Sequence, residues 1–486
     1  MIYLYLMSDS NTFEKKELKK RSENLSDWYT DVVLKSELAD YGPAKGTMVI
    51  RPYGYAIWEQ IQEIFNKWIK AYGVENAYFP LFIPMSLFEK EKDHIKGFSP
   101  ELAVVTHGGG KKLAEPLVVR PTSETIMYHM YKKWVNSHRD LPILINQWNN
   151  VVRWEMRTYL FLRTSEFLWQ EGHTAHKDEN EAQKMQLQAL EWYRKLYEEY
   201  LAIPVVVGEK SQTEKFAGAK STYSVEALMP DGKALQAGTS HNLGTNFSEV
   251  FDIAFQAEDG KRNFVWQTSW GLSTRSLGGL FLTHGDDNGL LLPPKIAPIQ
   301  VVIIPINNDE GINATSQAIK TTLEDKGLRV KLDNRDYQSM GRKINYWELK
   351  GVPVRLEIGK KEVESNTITY VRRDTLAKLQ INNDSKLGDE IQGILDNVQV
   401  SLFERAKSYL ANNTRTAETY DEFKEIMKTK RGFIKVYWEE SKESEDKIKE
   451  ETKATPRVKL LGHQKPGKCF LTGKPTQDVW YFAQSY

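Results

Sequence analysis

The segment FLWQEGH, residues 167–173, restricts this chain more than any other. Alternate side chains of an extended strand share a face, so Phe167, Trp169, Glu171 and His173 fall together. Ahead of it, VVRWE carries Val151, Arg153 and Glu155 on the corresponding parity. Strand, polar loop and strand predict an antiparallel hairpin over 149–176. One face of that hairpin holds a cation, two carboxylates, a histidine and two large aromatics. Burying those charges is costly unless they are paired or solvated. A salt-bridge ladder would satisfy that condition. So would a pocket with aromatic walls, a carboxylate-binding arginine and acids for an ammonium.

The flanking segments read as α+β. GTMVIRPYGYAIWEQIQEIFNKWIKAYG predicts a short strand, a proline stop and a long helix, with Ile57, Ile61, Ile64, Phe65 and Trp68 at helical spacing. EPLVVR predicts a strand. The helix after it has Thr122 or Ser123 as N-cap and Ile126, Met130 and Trp134 on one face. A helix over about 178–200 precedes strands near 203–207, 222–229, 234–241 and 263–270. Antiparallel strands with a few helices predict a catalytic domain over 1–292, opened by a polar segment, 1–25. PPKIAP reads as a linker, followed by an alternating small α/β domain over 298–400 and a tail domain over 401–486.

Two further arginines stand at junctions. Arg163 lies on the hairpin loop beside Leu160, Phe161 and Leu162, so that loop folds over something, and a phosphate would suit the guanidinium. Arg275 ends the strand FVWQTSWGLSTR and begins the helix SLGGLFLTH, a place suited to an anion over the sheet or to a local cap. Thr122 and Glu124 in a first helical turn read as capping residues. Gln236, Thr239 and His241 share one strand with mixed parity.

Other chemistries are excluded. HGGGKK lacks the P-loop spacing. His176 has the wrong parity to join Glu171 and His173 around zinc. Lys+Arg of 66 against Asp+Glu of 65 gives no overall basic field, so a nucleic acid would be held by local patches. A single cysteine, Cys469, precludes an intrachain disulfide and predicts a reducing, cytoplasmic location. The opening MIYLYLM is too short for a signal or a span, and no run of about 18 apolar residues predicts a membrane segment.

In this order the segments resemble the signature motifs of class II aminoacyl-tRNA synthetases. GTMVIRPYGYAIWEQI resembles motif 1, with Pro52 before the dimer-interface helix; VVRWE and FLRTSEFLWQEGH resemble motif 2; GLSTRSLGGLFLTHGD resembles motif 3. RPTSET, FLWQEGHTAH and AGTSHNLG narrow the resemblance to the prolyl-tRNA synthetase family of archaeal/eukaryotic-like type. It covers the chain from about residue 20 onward.

The resemblance implies a class II antiparallel sheet flanked by helices, a small α/β anticodon-binding domain and a C-terminal α/β domain. It implies proline activation with ATP and Mg²⁺, transfer to tRNA(Pro), a homodimer and no membrane partner. Arg153 and Arg275 would be catalytic. ATP would be held by Arg153, Arg163, Thr164, Gln236, Thr239, Ser273 and Arg275. Proline would meet Thr122, Glu124, Arg153, Phe167, Trp169, Glu171, His173, Phe216 and His241. About 95 residues between motifs 2 and 3 are too few for the editing insertion of many bacterial-type relatives. The tail has one cysteine where many relatives have a zinc set, so no bound zinc is expected. The final tyrosine, Tyr486, would approach the catalytic domain. Arg342, Lys343, Arg355 and Lys360 are the cations of the anticodon-binding region considered for tRNA contact. A paralogue that binds without charging, or a threonine enzyme, are the rival readings; the retained arginines oppose the first and the missing zinc-ligand set opposes the second.

Overall fold

The computed structural model describes residues 18–90, 102–155 and 158–486, so the MIYLYLM start lies outside the described residues. The chain forms two compact units. One comprises residues 41–49, 56–283 and 402–486; the other comprises 284–401 with 50–55 and the described residues before 41.

An eleven-stranded sheet organises the first unit. In chain order its strands are β1 (Glu75–Asn76), β2 (Ile143–Val152), β3 (Glu166–His176), β4 (Val205–Glu209), β5 (Ser221–Leu228), β6 (Ala234–Gly244), β7 (Trp266–Ser273), β8 (Thr414–Thr416), β9 (Phe433–Tyr437), β10 (Thr455–Leu460) and β11 (Val479–Ala483). They lie in the order β8-β9-β11-β10-β4-β5-β6-β7-β3-β2-β1. Only the outermost strand at each edge runs parallel to its neighbour. The hairpin forms as its pattern predicts, with Val151 opposite Phe167 and Gln147 opposite Glu171.

Helices cover one face of this sheet. In α1 (Pro52–Ala71) the buried stripe is Ile57, Trp58, Ile61, Phe65 and Ile69, while Ile64 and Trp68 flank it. Phe65 stacks on Tyr193 of α3 (Glu179–Lys195) at 5.6 Å. Asp178 caps α3 by accepting from Glu181 N at 3.0 Å. The even-numbered residues of β3 face these helices: Gln170 accepts from Tyr193 Oη at 2.8 Å, and Gly172 lies under Trp270 of β7. A Cβ on Gly172 would come within 2.1 Å of that indole, so the crossing of β3 and β7 here requires glycine. The odd-numbered residues are thereby left for the opposite face.

In α2 (Glu124–Trp134) the inward face is Met127, Tyr128 and Tyr131, with Ile126 and Met130 at its margin and Trp134 42% exposed. The expected stripe of Ile126, Met130 and Trp134 is displaced by about one position, because the tyrosines are drawn inward by partners. Tyr131 Oη donates to His173 O at 2.8 Å and Tyr128 Oη meets His173 Nδ1 at 3.3 Å.

Where the sequence reading sets 401–486 apart, the structure carries the sheet on without a break. β10 pairs with β4 through Lys459 opposite Glu209 and Leu460 opposite Gly208. A Cβ on Gly208 would sit 2.1 Å from Lys459 O, so glycine permits this join. The C-terminus continues the attachment: Ala234 N donates to Gln484 O at 2.7 Å and Tyr486 N to Ala234 O at 3.3 Å.

The second unit is built on a five-stranded sheet over Val301–Asn382. Its strands Val301–Pro305, Val330–Leu332 and Val354–Ile358 are parallel, with helices between them; Thr367–Arg372 and Lys378–Asn382 complete it antiparallel. The helix Leu25–Lys35 belongs to this unit, and Trp28 Nε1 donates to Asp286 O at 2.9 Å. PPKIAP is packed along its length: Ile296 and Ala297 are buried, and Arg329 donates to Ala297 O and Pro294 O. Two of the cations considered for RNA contact are structural. Lys343 is buried and donates to Asp333 O at 3.2 Å, and Arg355 pairs with Glu348 and Glu357, each at 3.0 Å. Arg342 and Lys360 remain exposed.

Candidate active site

The face of the sheet opposite α1 and α3 carries the cleft. Strand register aligns two rows of side chains across β3, β7, β6 and β5. His173, Ser269, His241 and Thr222 form one; Glu171, Gly271, Thr239 and Ser224 form the other. Apart from Ser224, and together with the start of α2, they bound a cleft of about 230 Å³. Thr122, Glu124, Arg153, Phe167, Trp169 and Phe216 line it, as do Gln236, Ser273 and Arg275. A contiguous hollow holds Arg163 and Thr164 beside Glu155.

The mixed parity of Gln236, Thr239 and His241 has a structural cause. Val225 pairs with Gly238 but Glu226 pairs with Gln236, so Ala237 is an extra residue on β6. This bulge shifts the alternation by one and returns Gln236 to the face of Thr239 and His241.

One end of the cleft is acidic and fully engaged. Glu171 and His173 are each 1% exposed, with His173 Nε2 2.9 Å from Glu171 Oε2. Glu171 also accepts from Ser123 N at 3.2 Å, Asn149 Nδ2 at 2.6 Å and Ser123 Oγ. Burial pushes the Glu171 carboxyl up, but the bonds from His173, Ser123 and Asn149 outweigh it and hold the group below the usual carboxylate range. Burial opposes the charge on His173 as well; the carboxylates of Glu124 and Glu171 prevail and raise it above its ordinary value. Each partner thus favours the charged form of the other across their shared bond. Burial and the charge of His173 push His241 down to about 3, so this ring is neutral. His241 bonds Thr222 Oγ1 through Nδ1 at 2.9 Å and packs on Phe216 with ring centres 4.7 Å apart.

The other end is cationic. The Arg153 guanidinium lies over Phe167 and Trp169 at 5.5 and 5.4 Å, and its Nε donates to Pro121 O at 3.2 Å. Arg275 Nε donates to Leu162 O at 3.0 Å. Burial, then the charges of Arg153 and Arg163, lower the Arg275 pKa. Cations gathered this closely are stabilised by a polyanion entering the cleft.

Family descriptions and relatives agree with this geometry. "tRNA synthetase class II core domain (G, H, P, S and T)" matches residues 109–283, "Anticodon binding domain" 300–392 and "Prolyl-tRNA synthetase, C-terminal" 420–486. The chain is 51% identical to the proline–tRNA ligase of Natranaerobius thermophilus, across 99% of this chain and 100% of that one. Those of Porphyromonas gingivalis and Chlorobaculum tepidum are each 51% identical across 97% of this chain and 99% of their own. The chain belongs to the proline–tRNA ligase family.

Within that family frame, several contacts escape sequence reading. Ser123 occupies the N-cap position of α2 but makes no side-chain cap bond; its hydroxyl is spent on Glu171. Thr122 Oγ1 likewise donates to the Glu124 carboxylate, so the apparent capping residues serve the cleft. Asn149 was legible, since it shares parity with Val151. Lys210 and Thr222 could be found only by knowing that β4 and β5 extend the rows. The loop residues Leu160, Phe161 and Leu162 are buried against the protein itself, with Phe161 on Phe281 of the helix α4 (Arg275–His284) at 5.5 Å. Arg163 pairs with Glu155 at 2.6 Å, and Thr164 Oγ1 donates to Glu166 O at 2.7 Å. Glu124, Glu171 and His173 bring possible ligand atoms within 4.8 Å of one another. A metal there would have to displace the bonds that His173 and Ser123 make to Glu171. His176 lies on the helix side of β3, bonded to Thr174 Oγ1 at 2.7 Å.

Proposed function

We propose that this chain activates L-proline with ATP and transfers it to tRNA(Pro). The observation that carries this reading is one cleft holding both the buried Glu171–His173 pair and the guanidinium groups of Arg153 and Arg275. Proline is a secondary ammonium with two N–H donors, an apolar ring and a carboxylate. Thr122 and Glu124 accept from the ammonium, Thr122 Oγ1 holds Glu124, and Glu171 ties the start of α2 to β3 through Ser123. The ring packs among Phe167, Trp169, Phe216 and His241, whose neutral imidazole adds no repulsion.

Arg153 neutralises the proline carboxylate and the α-phosphate as they approach. ATP enters as its Mg²⁺ complex, and Gln236, Thr239 and Ser273 hold it. Arg163 and Thr164 grip the nucleotide from the hairpin loop, and Arg275 stacks on adenine and reaches the γ-phosphate. The carboxylate oxygen attacks the α-phosphorus in line and pyrophosphate leaves. A hydroxyl of the terminal tRNA ribose then attacks the activated carbonyl and releases AMP. Preorganised cations stabilise the charge that develops, so no protein nucleophile is needed.

Residues 177–265 are fully occupied by α3, strands β4 to β6 and the short elements before β7, which supports a chain without a cis-editing insertion. A missing methylene is worth only about 1–3 kcal/mol of discrimination, so removal of misattached alanine falls to another protein. Exposed Tyr78 and Phe82 leave apolar side chains at the surface, which supports pairing with a second copy. Among the described residues no helix is long and apolar enough to cross a membrane, and the single cysteine supports a cytoplasmic setting. The deciding experiment is proline-dependent exchange of pyrophosphate into ATP. Exchange with threonine or serine but not with proline would overturn the assignment.

A further inference from the structure

We infer that Arg457, on β10 of the C-terminal segment, is a positioning residue for the amino-acid end of the cleft, acting through Glu226 on Lys210. The three charged groups are buried together in the same sheet. Glu226 accepts from Arg457 Nε at 3.1 Å and Nη2 at 2.9 Å, from Lys210 Nζ at 2.9 Å and from Ser224 Oγ at 2.8 Å. Arg457 Nη1 also donates to Thr455 Oγ1 at 3.0 Å. Every oxygen of the carboxylate is thus used, and the two cations share one anion.

Such a cluster is a poor way to stabilise a fold. Desolvating three charges costs more than an apolar trio of equal volume would. Its presence calls for a use, and its position supplies one. Lys210 lines the cleft beside Glu214 and Phe216. It extends the row His173–Ser269–His241–Thr222 by one strand, with Lys210 N donating to Thr222 O at 2.8 Å. Thr222 Oγ1 in turn fixes His241, which packs on Phe216. The steps described above for activation use neither Lys210 nor Arg457. Two N–H groups of Arg457 converge on Oε2 of Glu226 while Lys210 and Ser224 occupy Oε1, which holds the carboxylate in one orientation, and Glu226 holds the Lys210 ammonium at the cleft wall. Without Arg457 the carboxylate turns wholly to Lys210 and draws it from the wall, and the end of the row relaxes. The C-terminal segment would in this way complete the amino-acid site from a distance of 231 residues in sequence.

This inference rests on the proline-activating reading, and the two are tested separately in pyrophosphate exchange on the full-length protein. Absence of proline-dependent exchange in the unaltered protein defeats the activating reading. Given that exchange, Arg457→Met is expected to raise the KM for proline fivefold or more while the KM for ATP stays within twofold. Arg457→Lys keeps the charge without the paired N–H donors on Oε2 and should recover part of the loss. Lys210→Met leaves Glu226 paired with Arg457 and should raise the proline KM alone. A lowered melting temperature with both KM values unchanged, or equal loss for proline and ATP, would make the cluster structural only and overturn the inference. If Arg457→Met does not fold, the Lys and Lys210 variants decide on the same criterion.

Discussion

Ser123 bonds Glu171 twice, from its backbone N–H at 3.2 Å and from its hydroxyl, and so ties the first turn of α2 to the middle of β3. Charged acceptors bonded in this way gain roughly 1.5–3 kcal/mol per bond. Ser123→Ala removes one donor and leaves the other. The KM for proline should rise about tenfold, with the KM for ATP nearly unchanged, in pyrophosphate exchange. Equal loss for both substrates would mean that Ser123 holds the whole cleft and not its acid end.

Arg163 poses a different question, because its partner in the structure is Glu155. The arginine side chain is 48% exposed, and ion pairs of this kind contribute roughly 0–1 kcal/mol to stability. Arg163→Ala should therefore leave the melting temperature within about 2 °C. If the guanidinium serves the nucleotide, the KM for ATP should rise roughly tenfold, as expected for loss of one charge-assisted contact. A protein that melts lower but binds ATP as before would identify Arg163 as a loop brace.

The legible parts of this fold are those where a short-range pattern decides. Period-two alternation placed Phe167, Trp169, Glu171 and His173 on one face, because one-residue slips in a half-buried strand would invert every side chain. Proline and glycine bounded α1 for equally local reasons. What escaped depends on pairings distant in sequence. The bulge at Ala237 is visible only against β5. The inward face of α2 follows its tyrosines, whose hydroxyls seek His173. Ser123 looks like a cap until Glu171 stands beside it. The join of β10 to β4 brings together segments about 250 residues apart, and no local signal announces it.

Gly172 tests the crossing beneath the cleft. A methyl group there would lie 2.1 Å from the Trp270 ring, which is itself packed against Trp192 at 5.7 Å. Overpacking a core of this kind costs typically about 1–3 kcal/mol. Gly172→Ala should lower the unfolding free energy by that amount and move the denaturant midpoint down accordingly. Because Glu171 and His173 flank the site, it should also raise the proline KM. An unchanged midpoint would mean that the indole can move aside.

His176 makes stability depend on pH. Burial outweighs the pull of Glu181 and Asp178 and pushes its pKa from 6.5 down to about 4. The unfolded chain therefore binds this proton more readily than the folded one. The stabilisation from keeping the ring neutral is complete above about pH 6.5, declines as the pH falls, and is gone near pH 4. The difference amounts to on the order of 3 kcal/mol. His176→Asn keeps a polar group near Thr174 but removes the titration. Unfolding free energies from denaturant titrations between pH 4 and 8 should then fall less steeply toward acid in the variant than in the unaltered protein. The rest of the acid limb comes from Glu171 and other paired carboxylates and should persist. If the two pH profiles ran parallel, His176 would have to accept its proton inside the fold as readily as in the unfolded chain, and the dry helix-side environment assigned to it would be wrong.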